Sequence, residues 1–141
     1  MTVQEMYDYL GSIRKIDSKI VRLQLQHDEL ESCLLPKAIT YDSDKVQTSP
    51  DDPMSRIASE VLDLEKEIQM LRIRKARRVK EISVAITKLD DDIDQIILTA
   101  FYIGRLPASK VAEITHYSIR GVYNAKHRAV IHLTKVCTKC M

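Results

Sequence analysis

Residues 3–34 carry apolar side chains at Met6, Leu10, Ile13, Ile16, Ile20, Leu23, Leu30 and Leu34. The gaps are mostly threes and fours, the repeat of one apolar stripe on an α-helix, and no proline intervenes before Pro36. The spacing predicts one long helix over 3–34. His27 takes the stripe position that should be apolar, where a polar residue fixes the register between helices.

The period returns over 54–88 with Ile57, Val61, Leu64, Ile68 and Leu71, then Val79, Ile82, Ile86 and Leu89. The opening gaps of four, three, four and three are heptad-like, and Ser55 is the candidate N-cap just after Pro53. Neither long helix can bury a narrow stripe alone. The economical solution is an antiparallel hairpin, closed within one chain, between two chains, or both. The joining segment, 35–53, holds three of the four prolines with Ser, Thr and Asp clusters and no helical period.

Residues 90–104 predict a third helix. Asp90, Asp91, Asp92 and Asp94 crowd its N-terminus, where the helix dipole favours carboxylates, and Gly104 is its stop. Its apolar side is Ile93, Ile96, Ile97, Ala100 and Phe101. Two more helices fit 108–115 and 119–134, with Ser118 as the N-cap of the second. Val111, Ala112, Ile114, Val122, Ala125, Ala129, Val130 and Leu133 form their expected mutual interface. That is the pattern of a helix-turn-helix, with the small Ala112 at the close crossing. The fold class is therefore all-α. A helical hairpin or coiled coil occupies 1–88, with loop 35–53. A helix-turn-helix module follows at 89–136, and 137–141 is expected to be a frayed tail.

Composition changes this picture little. Three glycines in 141 residues are too few for a many-stranded sandwich or barrel, and no Gly-rich phosphate loop can be drawn. No 18-residue apolar run or leader-like N-terminus is visible, so no membrane association is expected, and a cytoplasmic location in a bacterial host is. Cys33, Cys137 and Cys140 read as free thiols. Cys137-x-x-Cys140 lacks the further ligands that zinc needs, so neither metal nor cofactor is expected. No nucleophile, base and acid stand in a recognisable catalytic arrangement, so the expectation is not an enzyme.

Charge changes it more. The net +2 conceals a split: residues 105–141 hold seven Lys or Arg and one acid, Glu113, whereas residues 1–104 hold 15 bases and 19 acids. A basic module on an acidic body is the electrostatic footprint of nucleic-acid binding. The second run, Arg72, Arg74, Lys75, Arg77, Arg78 and Lys80, spreads around its helix and reads as a solvated face with ion pairs to Glu65, Glu67 or Glu81.

Tyr102-Ile103-x-x-Leu106, Val111-Ala112-Glu113, Tyr117-Ser118, Val122-Tyr123 and Arg128-Ala129 together resemble the fourth conserved region of bacterial sigma factors. The long helix from about Tyr9–Leu10 and the string Tyr41-Asp42-Ser43-Asp44-Lys45-Val46-Gln47-Thr48-Ser49-Pro50 extend the resemblance. Over about 5–134 the chain is similar to a family of sigma-region-4-like phage proteins, grouped with phage transcriptional regulators of the autolysin-regulator (ArpU) kind. Thr115-His116 stand where that pattern has Leu-Gly, Pro107 where it has a capping Thr, and Ile119 and Gly121 where polar or basic residues are common.

In a helix-turn-helix the second helix reads base edges with its first turns. Arg120 suits guanine and Asn124 suits adenine, with Tyr123 and His127 also outward. Lys126, Arg128 and Ser118 are the candidate phosphate contacts. The resemblance implies a phage-encoded DNA-binding transcriptional regulator. Its partners would be double-stranded DNA, host RNA polymerase, and a second copy joined through the N-terminal helices. Two other readings remain. One is a protein-interaction module, such as an anti-factor for RNA polymerase or another host protein. The other is a small terminase-like DNA-packaging component.

Overall fold

A computed structural model of the chain describes residues 1–34 and 52–139. These residues are all helical in their regular structure, with no strand among them. Six α-helices follow in order: α1 (Val3–Leu10), α2 (Ser12–Leu34), α3 (Pro53–Thr87), α4 (Asp92–Leu98), α5 (Ala108–Thr115) and α6 (Ile119–Lys139). A π-helical turn, Thr99–Ile103, continues α4. The expected loop 35–53, apart from its last two residues, lies outside the described residues, as does Cys140 of the Cys137-x-x-Cys140 pair.

The single helix expected over 3–34 is divided at Gly11. α1 starts with a capping box: the Glu5 amide donates to Thr2 Oγ1 at 3.1 Å, and the Thr2 amide donates to Glu5 Oε2 at 2.9 Å. At Gly11, ψ opens to −5°, and the Lys15 amide reaches the Gly11 carbonyl only at 3.4 Å. The Ser12 hydroxyl donates to the Tyr9 carbonyl at 2.6 Å. A Gly–Ser pair that diverts a carbonyl in this way is a recognised cause of helix breaks.

α3 begins earlier than expected. Pro53 is its first residue, a position where the missing amide hydrogen costs nothing, and Asp52 Oδ1 accepts from the Met54 amide at 3.2 Å. Ser55 is therefore inside the helix and is not its cap. At the other end of the chain, α6 continues past residue 136 to Lys139, because Val136 and Cys137 pack against the core. The tail expected from 137 onward is helical as far as it is described.

The chain forms two compact units. One comprises Asp17–Arg74, the other Met1–Ile16 with Lys75–Met141. In Asp17–Arg74, Leu23, Ile68 and Leu71 are buried together, with Ile20 and Leu64 against them. Gln24 accepts from Arg72 at 3.5 Å and His27 donates to Glu65 at 2.9 Å, so α2 and α3 pair there in antiparallel order.

In the other unit, Met6, Leu10 and Ile13 are buried with Ile82 and Ile86 of the α3 end, Leu89 just after it, Leu98, and Ala129, Val130 and Leu133 of α6. The first turns of the N-terminal stripe thus serve the C-terminal body. A second cluster joins Ile97, Ala100 and Val111 to Val122 and Ala125. Truncating a buried Ile or Leu of this kind to Ala costs about 2–5 kcal/mol. Two residues expected in the core are exposed, Ile96 at 42% and Ile114 at 47%. Thr115 is buried in place of Ile114, its hydroxyl donating to the Val111 carbonyl at 2.8 Å.

The four aspartates before α4 have different roles. Asp91 is the N-cap, accepting from the Ile93 amide at 2.9 Å. Asp94 is buried and accepts from His132 Nδ1 at 2.7 Å, tying α4 to α6. Gly104 ends the π-helical turn at an ordinary negative φ, and the left-handed conformation falls on the next residue, Arg105, at φ 51°.

Candidate functional site

The three residues His116–Ser118 separate α5 from α6. His116 is left-handed, at φ 61° and ψ 26°. This is the conformation a glycine would adopt without strain, and it turns the chain sharply enough for Val111 to meet Val122 and Ala125. Ser118 Oγ accepts from the Gly121 amide at 3.0 Å and its carbonyl accepts from the Val122 amide at 2.8 Å, which makes it the cap of α6. Pro107 precedes α5 without a side-chain capping bond.

Val122 and Ala125 are buried, so the helical repeat turns Arg120, Tyr123, Asn124 and His127 outward together within an arc of about 100°. Ser118, Arg120, Tyr123, Asn124, His127 and Arg128 are all exposed, and Lys126 is half-buried. Among the described residues Arg120, Asn124 and Arg128 make no hydrogen bond or ion pair with the protein. Their donors are available to an external acceptor.

The other candidates are already engaged. His127 Nδ1 is hydrogen-bonded to the Tyr7 hydroxyl at 2.8 Å and its ring stacks on Tyr7, so only Nε2 faces outward chemistry. Lys126 Nζ lies 4.7 Å from the centre of the Phe101 ring and 5.3 Å from that of Tyr102. Burial, and then the positive charge of Arg14, lower its pKa below the ordinary lysine value. Tyr102 is pushed up to about 12, first by burial and then by Tyr7, and so keeps its proton. Tyr123 tilts against Phe101 with ring centres 6.2 Å apart. From Ala129 onward one side of α6 is covered, because Ala129, Val130 and Leu133 pack with the α1 residues Met6 and Leu10.

A cleft of about 310 Å³ adjoins this face and shares Tyr123 and Lys126 with it. Its other walls include Arg14, Phe101, Tyr102 and Arg105. Sequence reasoning missed Arg14 and Arg105 as neighbours of Lys126. Arg105 lies within a visible cluster of aromatic and basic residues at 101–105, but nothing local in the sequence links Arg14 to residues some ninety positions later.

The basic run on α3 is partly structural. Arg78 Nε lies 3.4 Å from Glu81, its NH1 donates to Ser12 Oγ at 3.0 Å, and its guanidinium covers the Tyr9 ring at 5.1 Å. His27, Asp28 and Glu31 bring ligand-type atoms within 4.8 Å of one another. The two imidazole nitrogens are already engaged there, Nδ1 with Asp28 at 3.0 Å and Nε2 with Glu65 at 2.9 Å. Among the described residues no helix is long and apolar enough to cross a membrane. The chain matches no protein-family model, no curated protein and no solved structure.

Proposed function

We propose that the chain is a DNA-binding transcriptional regulator of the phage sigma-region-4-like kind, with α5 and α6 as its helix-turn-helix. The carrying observation is the open face of α6: Arg120 and Asn124 project from the first turns, without internal partners among the described residues, on the basic segment of the chain. Arg120 would bond guanine through two donors, Asn124 would pair with adenine, and Arg128 with Lys126 would neutralise phosphates. Tyr123 and the free Nε2 of His127 complete the face, and Ser118 offers its hydroxyl to a phosphate.

One such unit makes few base contacts, so useful affinity calls for a dimer or for polymerase bound beside it. Exposed apolar side chains on the long helices support a homodimer. Val21 and Leu25 lie one turn apart on α2 at 57% and 67% exposure, and Met70 on α3 is at 71%. Fluorescence anisotropy with promoter DNA at two salt concentrations tests the reading. Binding should appear at low salt, weaken as salt rises, and lose sequence preference in Arg120→Ala and Asn124→Ala. No binding at low salt, or none of the salt effect, refutes it.

A second reading draws on the exposed apolar residues around the α5–α6 turn, Ile114 at 47%, Tyr117 at 38% and Ile119 at 53%. They suit a protein partner such as RNA polymerase. Capture of polymerase from host lysate that survives Arg120→Ala and Asn124→Ala but fails with Ile119→Glu would favour an anti-factor.

A further inference from the structure

The cleft beside α6 gathers positive charge from elements far apart in the sequence. Arg14 comes from the start of α2, Arg105 from the left-handed residue after the π-helical turn, and Lys126 from α6. Among the described residues, none that lines it is acidic. Lys126 is half-buried against Phe101 and Tyr102, and that burial, then the positive charge of Arg14, disfavours its own charge. Holding two like charges together in a half-buried cleft costs free energy, and an anion placed between them would relieve both the repulsion and the desolvation. The aromatic walls fix the ammonium in place, so little side-chain freedom remains to be lost when an anion arrives. The volume is at the low end for small-molecule sites, enough for a phosphate with part of the sugar that carries it.

We propose that this cleft is a phosphate seat, with Arg14 and Lys126 as its principal charges and Arg105 at its rim. The phosphate belongs either to a DNA strand lying across α6 or to a free nucleotide. The first source rests on the DNA-binding reading above, and there Tyr123 joins the seat to the base-reading face. A strand so held contacts the protein outside the helix-turn-helix, through the beginning of α2.

Duplex affinity of the full chain, measured across a salt series for wild type, Arg14→Gln, Arg14→Lys and Asn124→Ala, tests the first source. Arg14→Gln should weaken binding to every duplex alike and reduce the slope of log K against log salt by about 0.9, the loss of one phosphate contact. Arg14→Lys should restore most of the slope. Asn124→Ala should lose sequence preference and keep the slope. Titration with inorganic phosphate and with AMP, followed by NMR of the Lys126 ammonium and the Arg14 guanidinium, tests the second. Saturable shifts at both groups that vanish in Arg14→Gln support a seat for the free ligand.

A protein that binds duplex with a slope unmoved by Arg14→Gln, and shows no shifts with phosphate or AMP, keeps the DNA reading and loses the seat. A protein that binds no duplex but shows the shifts loses the DNA reading and keeps the seat. Absence of both overturns both.

Discussion

His116 is held at φ 61° on the surface, where an L-residue bears a cost of about 1–2 kcal/mol that glycine does not. The residue is exposed, so a substitution there acts on the backbone and not on packing. Glycine would remove the strain but would enlarge the entropy of the unfolded chain by about 0.5–1 kcal/mol. His116→Gly should therefore stabilise the protein by about 0.5–1 kcal/mol. His116→Val should destabilise it by more than 1 kcal/mol, because a β-branched residue tolerates positive φ least. Urea unfolding checks both. Equal stability of His116→Val and wild type would mean that the turn is not left-handed. Neither histidine nor its neighbours Thr115 and Tyr117 signal a left-handed residue from sequence. Arg105 gave no such sign either. Its left-handed φ lets the Leu106 amide donate back to the Ala100 carbonyl at 2.9 Å and so close the helix end, which the apolar period does not mark.

At the level of single helices, how much could be read depended on length. All eight stripe positions that fall on α3, from Ile57 to Ile86, are buried or half-buried, because many turns of repeat define one side of a helix unambiguously. α4 and α5 have 7 and 8 residues, so each offers two turns, and the apolar side cannot be told from its neighbours. Ile96 and Ile114 were misassigned for that reason. The outward face of α6 was legible, since Val122 and Ala125 fix its inner side. α6 also contains a coupling that sequence alone priced too simply. Gly121 should weaken the helix by about 1 kcal/mol relative to Ala. In the structure a Cβ added at Gly121 would lie 3.1 Å from Ser118 Oγ, the atom that caps the helix. Gly121→Ala should therefore be close to neutral, its propensity gain offset by a displaced cap worth about 1 kcal/mol. Ser118→Ala should cost about 1 kcal/mol. In the Ser118→Ala background, Gly121→Ala should recover its full gain of about 1 kcal/mol. A double-mutant cycle by thermal unfolding measures this, and additive effects would show that the two residues do not interact.

Across the whole molecule, the two compact units were not legible from sequence, because periodicity says which face of a helix is buried and not which partner buries it. The stripe from Met6 to Ile13 could equally have continued the pairing of the long helices. It is Ala129, Val130 and Leu133, more than a hundred residues later, that take it. The unit Asp17–Arg74 has a titratable group at its centre. His27 is 7% exposed and faces Asp28 and Glu31 on α2 and Glu65 on α3. The hydrogen bond to Glu65, then that to Asp28, raise its pKa above the ordinary imidazole value, against the opposing effect of burial. The unfolded chain keeps the ordinary value of about 6.5. Because the folded state holds the proton more tightly, the imidazolium stabilises this unit fully below that pH, and the contribution is lost as pH climbs through the raised folded value. Asp28 acts in the other direction. Its pKa is lowered, first by the hydrogen bond to His27, so its contribution is present above the ordinary carboxylate value and is lost as pH falls through the lowered one. The interaction is therefore strongest between roughly pH 4 and pH 6.5. Amide protection in Asp17–Arg74, corrected for intrinsic exchange, should fall as pH rises above about 6.5. His27→Leu restores the apolar stripe and should abolish that dependence. Once pH has risen past the raised folded value, the leucine variant should be the better protected of the two. Wild-type protection that does not change with pH, or a leucine variant that still loses it, would show that the fold holds the His27 proton no more tightly than the unfolded chain does and that its place in the stripe is one of packing alone.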